Sequence, residues 1–191
     1  MAYVKWIFRI VVFLLAAAFL HYTLPQRDIV RVNGTEILRQ DFSGWNRIFY
    51  AQADAGNDNT VVNRDLRLIN TQLASGRSYV YRNEDTGFGW PPYFKLDSSN
   101  LQSDAQAAAR EDEQWYVVRH YGWRSEFLSI YPNAISLRPA PGPNWSDFSL
   151  WQRIPVMNIT IILFLFAVYW GVAVRLRRFR ERRIDPLFDG E

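Results

Sequence analysis

Few residues of this 191-residue sequence occur in a pattern that could carry out acid–base or hydrolytic chemistry. Asp85-Thr86-Gly87 has the tripeptide of the aspartic proteases, in which two such aspartates share a proton between hydrophobic strands. Here the flanks are polar or glycine-rich, and the chain has no second copy, so a dimer would have to supply one. Because Asp and Gly favour tight turns, we interpret the tripeptide as a turn.

The two histidines, His21 and His120, are far apart in the sequence, and neither has a cluster of carboxylates beside it. Metal sites need several ligands at close spacing, so structural roles are favoured for both. The chain has no cysteine, which excludes disulfides, thiol catalysis and thiolate metal sites. No Gly-x-Ser-x-Gly elbow or phosphate-binding glycine loop occurs. The sequence therefore predicts a protein that is not an enzyme and that holds no metal or other cofactor.

The stretch Gly87–Phe94 (GFGWPPYF) places large aromatic rings between glycines and prolines. Such a loop is stiff and holds its rings at defined positions, and Trp and Tyr dominate interface hot spots. We therefore interpret Trp90, Tyr93 and Phe94 as a partner-binding surface. Two alternatives stay open: the rings contact a bilayer surface, or they fill the core against the aromatic stretch His120–Phe127.

An alternative interpretation of these rings is that some of them line a ligand pocket. Trp90, Tyr121 and Trp123 would line it, and Arg124 would form its polar end. This alternative makes the protein a sensor or a module that binds a small ligand or lipid.

These residues lie between two apolar segments, Ile7–Leu24 and Ile154–Val174. At about 1.5 Å per residue, each segment is long enough to cross a hydrocarbon core of about 30 Å. A cleaved signal peptide is disfavoured for the first segment, because bulky residues directly follow Ala16–Ala18. We predict transmembrane helices over 7–24 and 154–174, with one domain over 25–153 between them.

The basic residues predict the orientation. The segment 25–153 is nearly neutral, with 14 Lys and Arg against 15 Asp and Glu, whereas Lys5, Arg9 and six arginines after the second span lie in the flanks. Because basic residues stay on the cytoplasmic side, the termini 1–6 and 175–191 should be cytoplasmic and the domain periplasmic, in the inner membrane of a bacterium. The Arg-rich tail is interpreted as an anchor beside anionic lipid headgroups, and no nucleic-acid partner is expected.

Alternating apolar residues predict a mainly antiparallel β-sheet in the central domain, which we assign to the α+β class. Within the first strand segment, Asn33-Gly34 predicts a tight hairpin, because both residues tolerate positive φ. The predicted strand segments are Asp28–Leu38, Val61–Ile69, Arg77–Asn83, Trp115–Trp123 and Ile135–Leu137.

One helix is predicted over Leu101–Glu113, where Ala, Gln and Glu are frequent. Ser99 and Gln102 have the spacing of a capping box at its start. The helix should lie on the sheet through an apolar stripe of Leu101, Ala105 and Ala108. Residues 139–153, rich in Pro and Gly at their start, are interpreted as a linker to the second span.

The second apolar segment contains residues that favour helix association in a bilayer. Asn158 can hydrogen-bond across helices, and Ala167-x-x-x-Gly171 allows close approach. The partner is either the first segment, which offers Ala16–Ala18, or a neighbouring protein, and the residues leave both open.

Five stretches together resemble an uncharacterised bacterial inner-membrane family, DUF1523. The stretches are LHYTLPQRDIVRVNGTE from Leu20, VVNRDLRLI from Val61, VYRNEDTGFGWPPYFKLDSSNLQ from Val80, HYGWRSEFLSIYPNAISL from His120 and RRFRERRIDP from Arg177. The resemblance spans nearly the whole chain and supports a bacterial location and a single domain. It implies no activity, substrate or catalytic residue.

Two functional hypotheses follow from these observations. In the first, the protein is a non-enzymatic accessory or assembly subunit of a larger membrane complex, such as a respiratory or photosynthetic one. Its partner contacts would be Trp90, Tyr93 and Phe94 outside the bilayer, and Asn158, Ala167 and Gly171 within it. The alternative is the sensor or ligand-binding module described above.

Overall fold

The computed structural model describes residues 2–41 and 63–184 of the chain. These residues form five strands and four α-helices, and the strands close into a barrel. The helices and strands are α1 (Ala2–Thr23), β1 (Gln26–Asp41), β2 (Asn63–Leu73), β3 (Ser78–Arg82), α2 (Ser98–Ala108), β4 (Tyr116–Tyr121), β5 (Asn133–Pro139), α3 (Leu150–Arg153) and α4 (Val156–Ile184).

The strands of the barrel follow the order β1-β2-β3-β5-β4, and β1 closes it by pairing with both β2 and β4. All neighbouring pairs are antiparallel except β3 and β5, which run parallel where Arg82 meets Asn133. The connection from β3 to β4 contains α2. A five-stranded barrel with this order and this helix has the arrangement of the OB fold. The predicted α+β, mainly antiparallel class is confirmed, although the sequence did not indicate closure.

The hairpin predicted at Asn33-Gly34 is wrong, because β1 continues through this pair to Asp41. The register of β1 against β2 shifts between Val32 and Gly34, as in a β-bulge. Glycine in a strand commonly marks such a bulge, where the strand bends and its twist increases. The same residue types therefore bend β1 around the barrel instead of reversing the chain.

The remaining strand predictions are confirmed with changed bounds. The prediction over Val61–Ile69 corresponds to β2, except that its first two residues lie outside the described part of the chain. The later three predicted segments correspond to β3, β4 and β5. The last of these strands is longer than predicted because its pairing with β4 extends to Pro139.

Helix α2 begins earlier and ends earlier than the predicted Leu101–Glu113. The predicted capping box is wrong, because the N-cap is Asp97 and its side chain makes no capping hydrogen bond. The side chain of Gln102 instead accepts a hydrogen bond from Asn83 Nδ2 at 2.8 Å, and Ser99 Oγ accepts one from Arg67 at 3.1 Å. Ser99 and Gln102 thus hydrogen-bond residues outside α2 instead of forming a capping box.

The core lies inside the barrel and is closed by α2. The apolar stripe predicted for this helix is confirmed, since all three residues are buried against strand residues. The main buried cluster consists of Val30, Val32, Ile69, Tyr81, Leu101, Ala105, Ala108, Tyr116, Val118 and Ala134.

The segment after β5 also packs on the barrel. Ala140 and Phe148 are buried with Ile29 of β1, and Trp145–Asp147 forms a single 3₁₀ turn. This part of the predicted linker 139–153 therefore belongs to the compact unit formed by residues 1–149, and residues 150–191 form a second unit.

Two helices are long and apolar enough to cross a membrane. Their candidate spans are Tyr3–Thr23 in α1 and Val156–Phe179 in α4, with mean hydropathies of 2.0 and 2.2. Within the described chain, no residue of the apolar window in either helix is buried. Helix α4 extends beyond the predicted 154–174 into the basic tail, and residues 185–191 of that tail lie outside the described part.

Candidate functional site

The Asp85-Thr86-Gly87 tripeptide lies at the base of the aromatic loop and is engaged in structural hydrogen bonds. Asp85 accepts hydrogen bonds from the backbone N–H and the hydroxyl of Ser98, at 2.8 and 2.9 Å. The Thr86 hydroxyl accepts the N–H of Lys95, and the N–H of Thr86 donates to the Lys95 carbonyl. Gly87 has φ +53°, which favours glycine. These contacts close the loop Thr86–Lys95 at its base.

His120 belongs to a carboxylate-centred cluster inside the barrel. Its Nε2 lies 2.9 Å from Asp28 Oδ2, and the Tyr81 hydroxyl donates to the same oxygen at 2.7 Å. Burial alone would raise the pKa of Asp28, but the hydrogen bond and charge of His120 and the Tyr81 hydroxyl hold it below its usual value. Burial, with this carboxylate beside it, raises the pKa of Tyr81. The cluster therefore fixes Asp28 as a carboxylate.

His21 lies at the end of α1, where its Nδ1 accepts a hydrogen bond from Trp123 Nε1 at 2.9 Å. It is thus engaged with a different group of residues from His120. No set of three His, Cys, Asp or Glu side chains that could hold a metal ion occurs within residues 2–41 and 63–184.

A group of buried charged side chains lies at the end of β3. The guanidinium of Arg82 is 3.2 Å from the carboxylate of Glu84, and these side chains are 2% and 4% exposed. Lys95 is 3% exposed, and its Nζ donates to Asn83 Oδ1 at 2.5 Å and to the Ala134 carbonyl at 2.6 Å. Burial lowers the pKa of Lys95 to about 8, although nearby carboxylates oppose the change. Such buried ions persist only when they are paired and hydrogen-bonded.

Two buried amides connect this charged group to the barrel. Asn133 accepts the N–H of Glu84 and donates to its carbonyl, both at 3.0 Å, and it also donates to the Tyr121 hydroxyl. Asn83 donates to Gln102 and to the Ser98 carbonyl, both at 2.8 Å. These bonds hold together β3, β5 and the start of α2.

The end of α1 is joined to the barrel by hydrogen bonds from two loops. The Tyr93 hydroxyl donates to the Thr23 carbonyl, and the N–H of Gly122 donates to the Tyr22 carbonyl at 2.9 Å. The Tyr22 side chain also hydrogen-bonds Arg82, so the joint reaches the buried charged group. Gly122 has φ +95° and its α-carbon faces the Tyr22 ring, a position that favours glycine.

Aromatic contacts reinforce this joint. The Tyr22 ring lies edge-on to Tyr121 and Trp123, with centroids 6.3 and 5.3 Å apart, and Tyr93 lies 5.3 Å from Tyr121. Edge-to-face pairs of this kind stabilise by about 0.5–1.5 kcal/mol beyond their buried area. We call the set Tyr22, Thr23, Tyr93, Tyr121, Gly122 and Trp123 the helix–barrel joint.

The residues predicted for a partner surface or a ligand pocket thus divide into two groups. Tyr93, Tyr121 and Trp123 belong to the joint and contact α1. Trp90 stacks on Phe19 of α1 at 5.6 Å yet remains largely exposed, as does Phe94. The pocket and the partner surface themselves stay predictions.

Arg124, predicted as the polar end of a pocket, is engaged within its own loop. Its guanidinium donates to the carbonyls of Ser125 and Ile130 at 3.1 Å and lies 4.5 Å from the centre of the Tyr131 ring. The residue therefore stabilises the turn between β4 and β5.

The predicted contacts in the second span lie along α4. Ala167 and Gly171 are exposed, and Asn158 is partly exposed. A Cβ added at Gly171 would have no heavy atom within 4 Å in the described chain. Within α4, the small residues at positions 167 and 171 permit close approach of another helix.

Five buried polar residues of this site were not predicted from the sequence. They are Arg82, Asn83, Glu84, Lys95 and Asn133. Charged and amide side chains are usually solvated, so their types predict exposure. The one available signal is that Tyr81-Arg82-Asn83-Glu84 lies at the end of an alternating strand. All four are buried, because the chain there passes between β5 and α2.

The fold and site define a class of small protein: an OB-type barrel joined to one apolar helix and followed in sequence by another. The chain belongs to the family described as "Protein of unknown function (DUF1523)", whose model matches residues 1–180, so the predicted resemblance is confirmed. A Haemophilus influenzae protein described as "Uncharacterized protein" is 38% identical over 137 residues, covering 70% of this chain and 74% of the relative. No solved structure matches the chain.

Proposed function

We propose that the protein is a two-span protein of the bacterial inner membrane, with cytoplasmic termini and the barrel in the periplasm. The two apolar helices support the spans, and the basic flanks support the orientation.

This topology predicts which positions are accessible from outside the cell membrane. Because the chain has no cysteine, single cysteines can report it without background. Gln106→Cys, on the exposed face of α2, should react with a membrane-impermeant maleimide in intact spheroplasts. Gly190→Cys should react only after lysis. The reverse pattern would contradict the orientation, and labelling of both before lysis would contradict two spans.

Within this topology, we propose a non-enzymatic role as an accessory or assembly subunit of a membrane complex. The observation that carries this proposal is the helix–barrel joint. Hydrogen bonds and aromatic contacts attach two loops to the end of α1, so the barrel is presented in a fixed orientation at the end of the helix. A rigidly presented small domain suits docking on a partner, because little ordering entropy is lost on association.

The ring positions support docking over the ligand-binding alternative. A pocket at Tyr121 and Trp123 would need open ring faces, whereas both rings contact Tyr22 of α1. The small residues Ala167 and Gly171 in α4 suit a partner helix within the bilayer, because they permit close backbone approach.

The test is co-purification of the tagged full chain from native membranes in mild detergent. We expect a partner at a fixed stoichiometry and expect Gly171→Leu to lower its recovery about tenfold, which corresponds to about 1.4 kcal/mol of association free energy. Val172→Leu adds bulk at the next position of α4 and should retain the partner. A loss specific to the Gly171→Leu variant would place the partner contact on the Gly171 face of α4.

A wild-type protein that purifies alone under these conditions would contradict the accessory role. Equal recovery of the partner with both variants would show that the intramembrane contact does not involve Gly171. The accessory role would still stand.

A further inference from the structure

Exposed apolar side chains extend from the two loops that hold the end of α1. One loop, Thr86–Lys95, contacts α1 through Trp90 and Tyr93, and the other follows Gly122 and Trp123. We call the exposed side chains of these loops the collar. It consists of Phe88, Trp90, Phe94, Phe127 and Leu128, which are 86%, 64%, 59%, 96% and 43% exposed.

We propose that the collar inserts into the headgroup layer of the lipid bilayer that surrounds α1. The proposal rests on the proposed topology, in which α1 crosses the membrane, and it does not depend on the accessory role. Large exposed apolar patches mark membrane or protein contacts, and aromatic rings concentrate at the membrane–water interface.

Contact with α1 sets the depth of the collar. Trp90 stacks on Phe19, four residues before the last residue of α1, at a centroid distance of 5.6 Å. Four helical residues correspond to about 6 Å along the helix axis. If Thr23 lies at the outer boundary of the span, Trp90 therefore lies at the depth of the acyl–headgroup boundary. The collar is thus continuous with the apolar surface of α1.

The chemistry of the first loop suits this environment. The stretch from Thr86 to Phe94 contains no charged side chain, so its insertion desolvates no ion. Pro91 and Pro92 have no backbone N–H, which reduces the number of donors that would lose water. Lys95, the charged residue that follows, is turned into the barrel.

The second loop sets a limit on depth. Phe127, the most exposed ring of the collar, is preceded by the exposed Glu126. A carboxylate must stay hydrated, so this loop enters only as far as the headgroups. Shallow insertion of the two loops that contact α1 would fix the tilt of the barrel against the membrane surface.

The test uses the absence of native cysteine. Phe88→Cys and Phe127→Cys replace side chains with little packing, so neither should disturb the fold. Each full-length variant is labelled with an environment-sensitive nitrobenzoxadiazole dye. It is then reconstituted in vesicles of phosphatidylethanolamine and phosphatidylglycerol that contain no other protein. We expect a blue-shifted emission at both positions, and a loss of intensity with lipids that carry a nitroxide near the headgroup.

Two further labels test the collar proposal and the topology proposal separately. A label at Gln106→Cys, on the exposed face of α2, should keep an aqueous spectrum. A label at Ala17→Cys in α1 should be quenched by nitroxides deep in the acyl chains. If Ala17→Cys is quenched but both collar labels stay aqueous, the collar proposal is wrong and the topology stands. If the Ala17→Cys label is also aqueous, both are wrong.

A protein partner for the collar is the competing outcome. In that case, the labels at Phe88→Cys and Phe127→Cys would be aqueous in the pure vesicles and protected only in native membranes. This result would overturn lipid insertion and assign the collar to the partner of the accessory subunit.

Discussion

Replacing Arg82 by methionine is expected to lower the free energy of unfolding by about 3–5 kcal/mol, the range for breaking a buried ion pair by removing one partner. The variant leaves the Glu84 carboxylate, 4% exposed, without the guanidinium 3.2 Å away. It also removes the hydrogen bond to Tyr22, so the helix–barrel joint weakens together with the barrel. Urea unfolding of the full chain in detergent, followed by tryptophan fluorescence, measures the change.

Two variants test the cause of this loss. Adding Glu84→Gln to Arg82→Met removes the stranded charge and should recover part of the lost stability, because much of the penalty comes from the unpaired ion. Arg138→Met removes the same charged group from an exposed position of β5 and should change stability by less than about 0.5 kcal/mol. Equal losses for Arg82→Met and Arg138→Met would contradict the ion-pair account.

The second large effect is a dependence of stability on pH that Lys95 produces. Burial lowers its pKa to about 8 in the folded chain, against 10.5 as the ordinary value. Between these values the unfolded chain holds the proton and the folded chain does not. The stability therefore rises with pH in this window, by about 1.4 kcal/mol per pH unit. Below pH 8 both states hold the proton, and this contribution has no slope.

The measurement is the difference in unfolding free energy between the wild type and Lys95→Met from pH 7 to pH 10. Burial raises the pKa of Tyr81 and of Tyr93, so ionisation of these tyrosines in the unfolded chain destabilises both proteins near and above pH 10. The effect of the tyrosines is the same in both proteins, so it cancels in the difference between their unfolding free energies. We expect the difference to be constant up to about pH 8 and then to shift in favour of the wild type, by about 3 kcal/mol in full. A constant difference up to pH 10 would show that Lys95 stays charged in the folded protein.

The elements that the sequence predicted well are those in which local pattern and burial agree. Alternating residues predicted β3 and β4, and the Leu101, Ala105 and Ala108 stripe predicted the buried face of α2. Asn33-Gly34 was misread, because a glycine that permits a hairpin equally permits a bulge. The pairing of β1 with β2 beyond this point decides between them, and that pairing joins residues far apart in sequence.

The candidate site was less predictable because its geometry depends on closure of the barrel. The rings at 90–94 and 120–123 were noticed in the sequence, but nothing there indicated that both would contact the end of α1. The burial of Arg82, Glu84 and Lys95 runs against their residue types. It becomes understandable only when β3, β5 and α2 supply the amides and carbonyls around them.

The helix–barrel joint has a consequence for biosynthesis. The ribosome makes α1 before the barrel, whereas Gly122 and Trp123, which bind its last turn, are added about a hundred residues later. Until β4 pairs with β1, the Tyr22 carbonyl and the His21 ring lack these partners. The joint can therefore form only after the last strands of the barrel have been synthesised and have paired beside the end of α1.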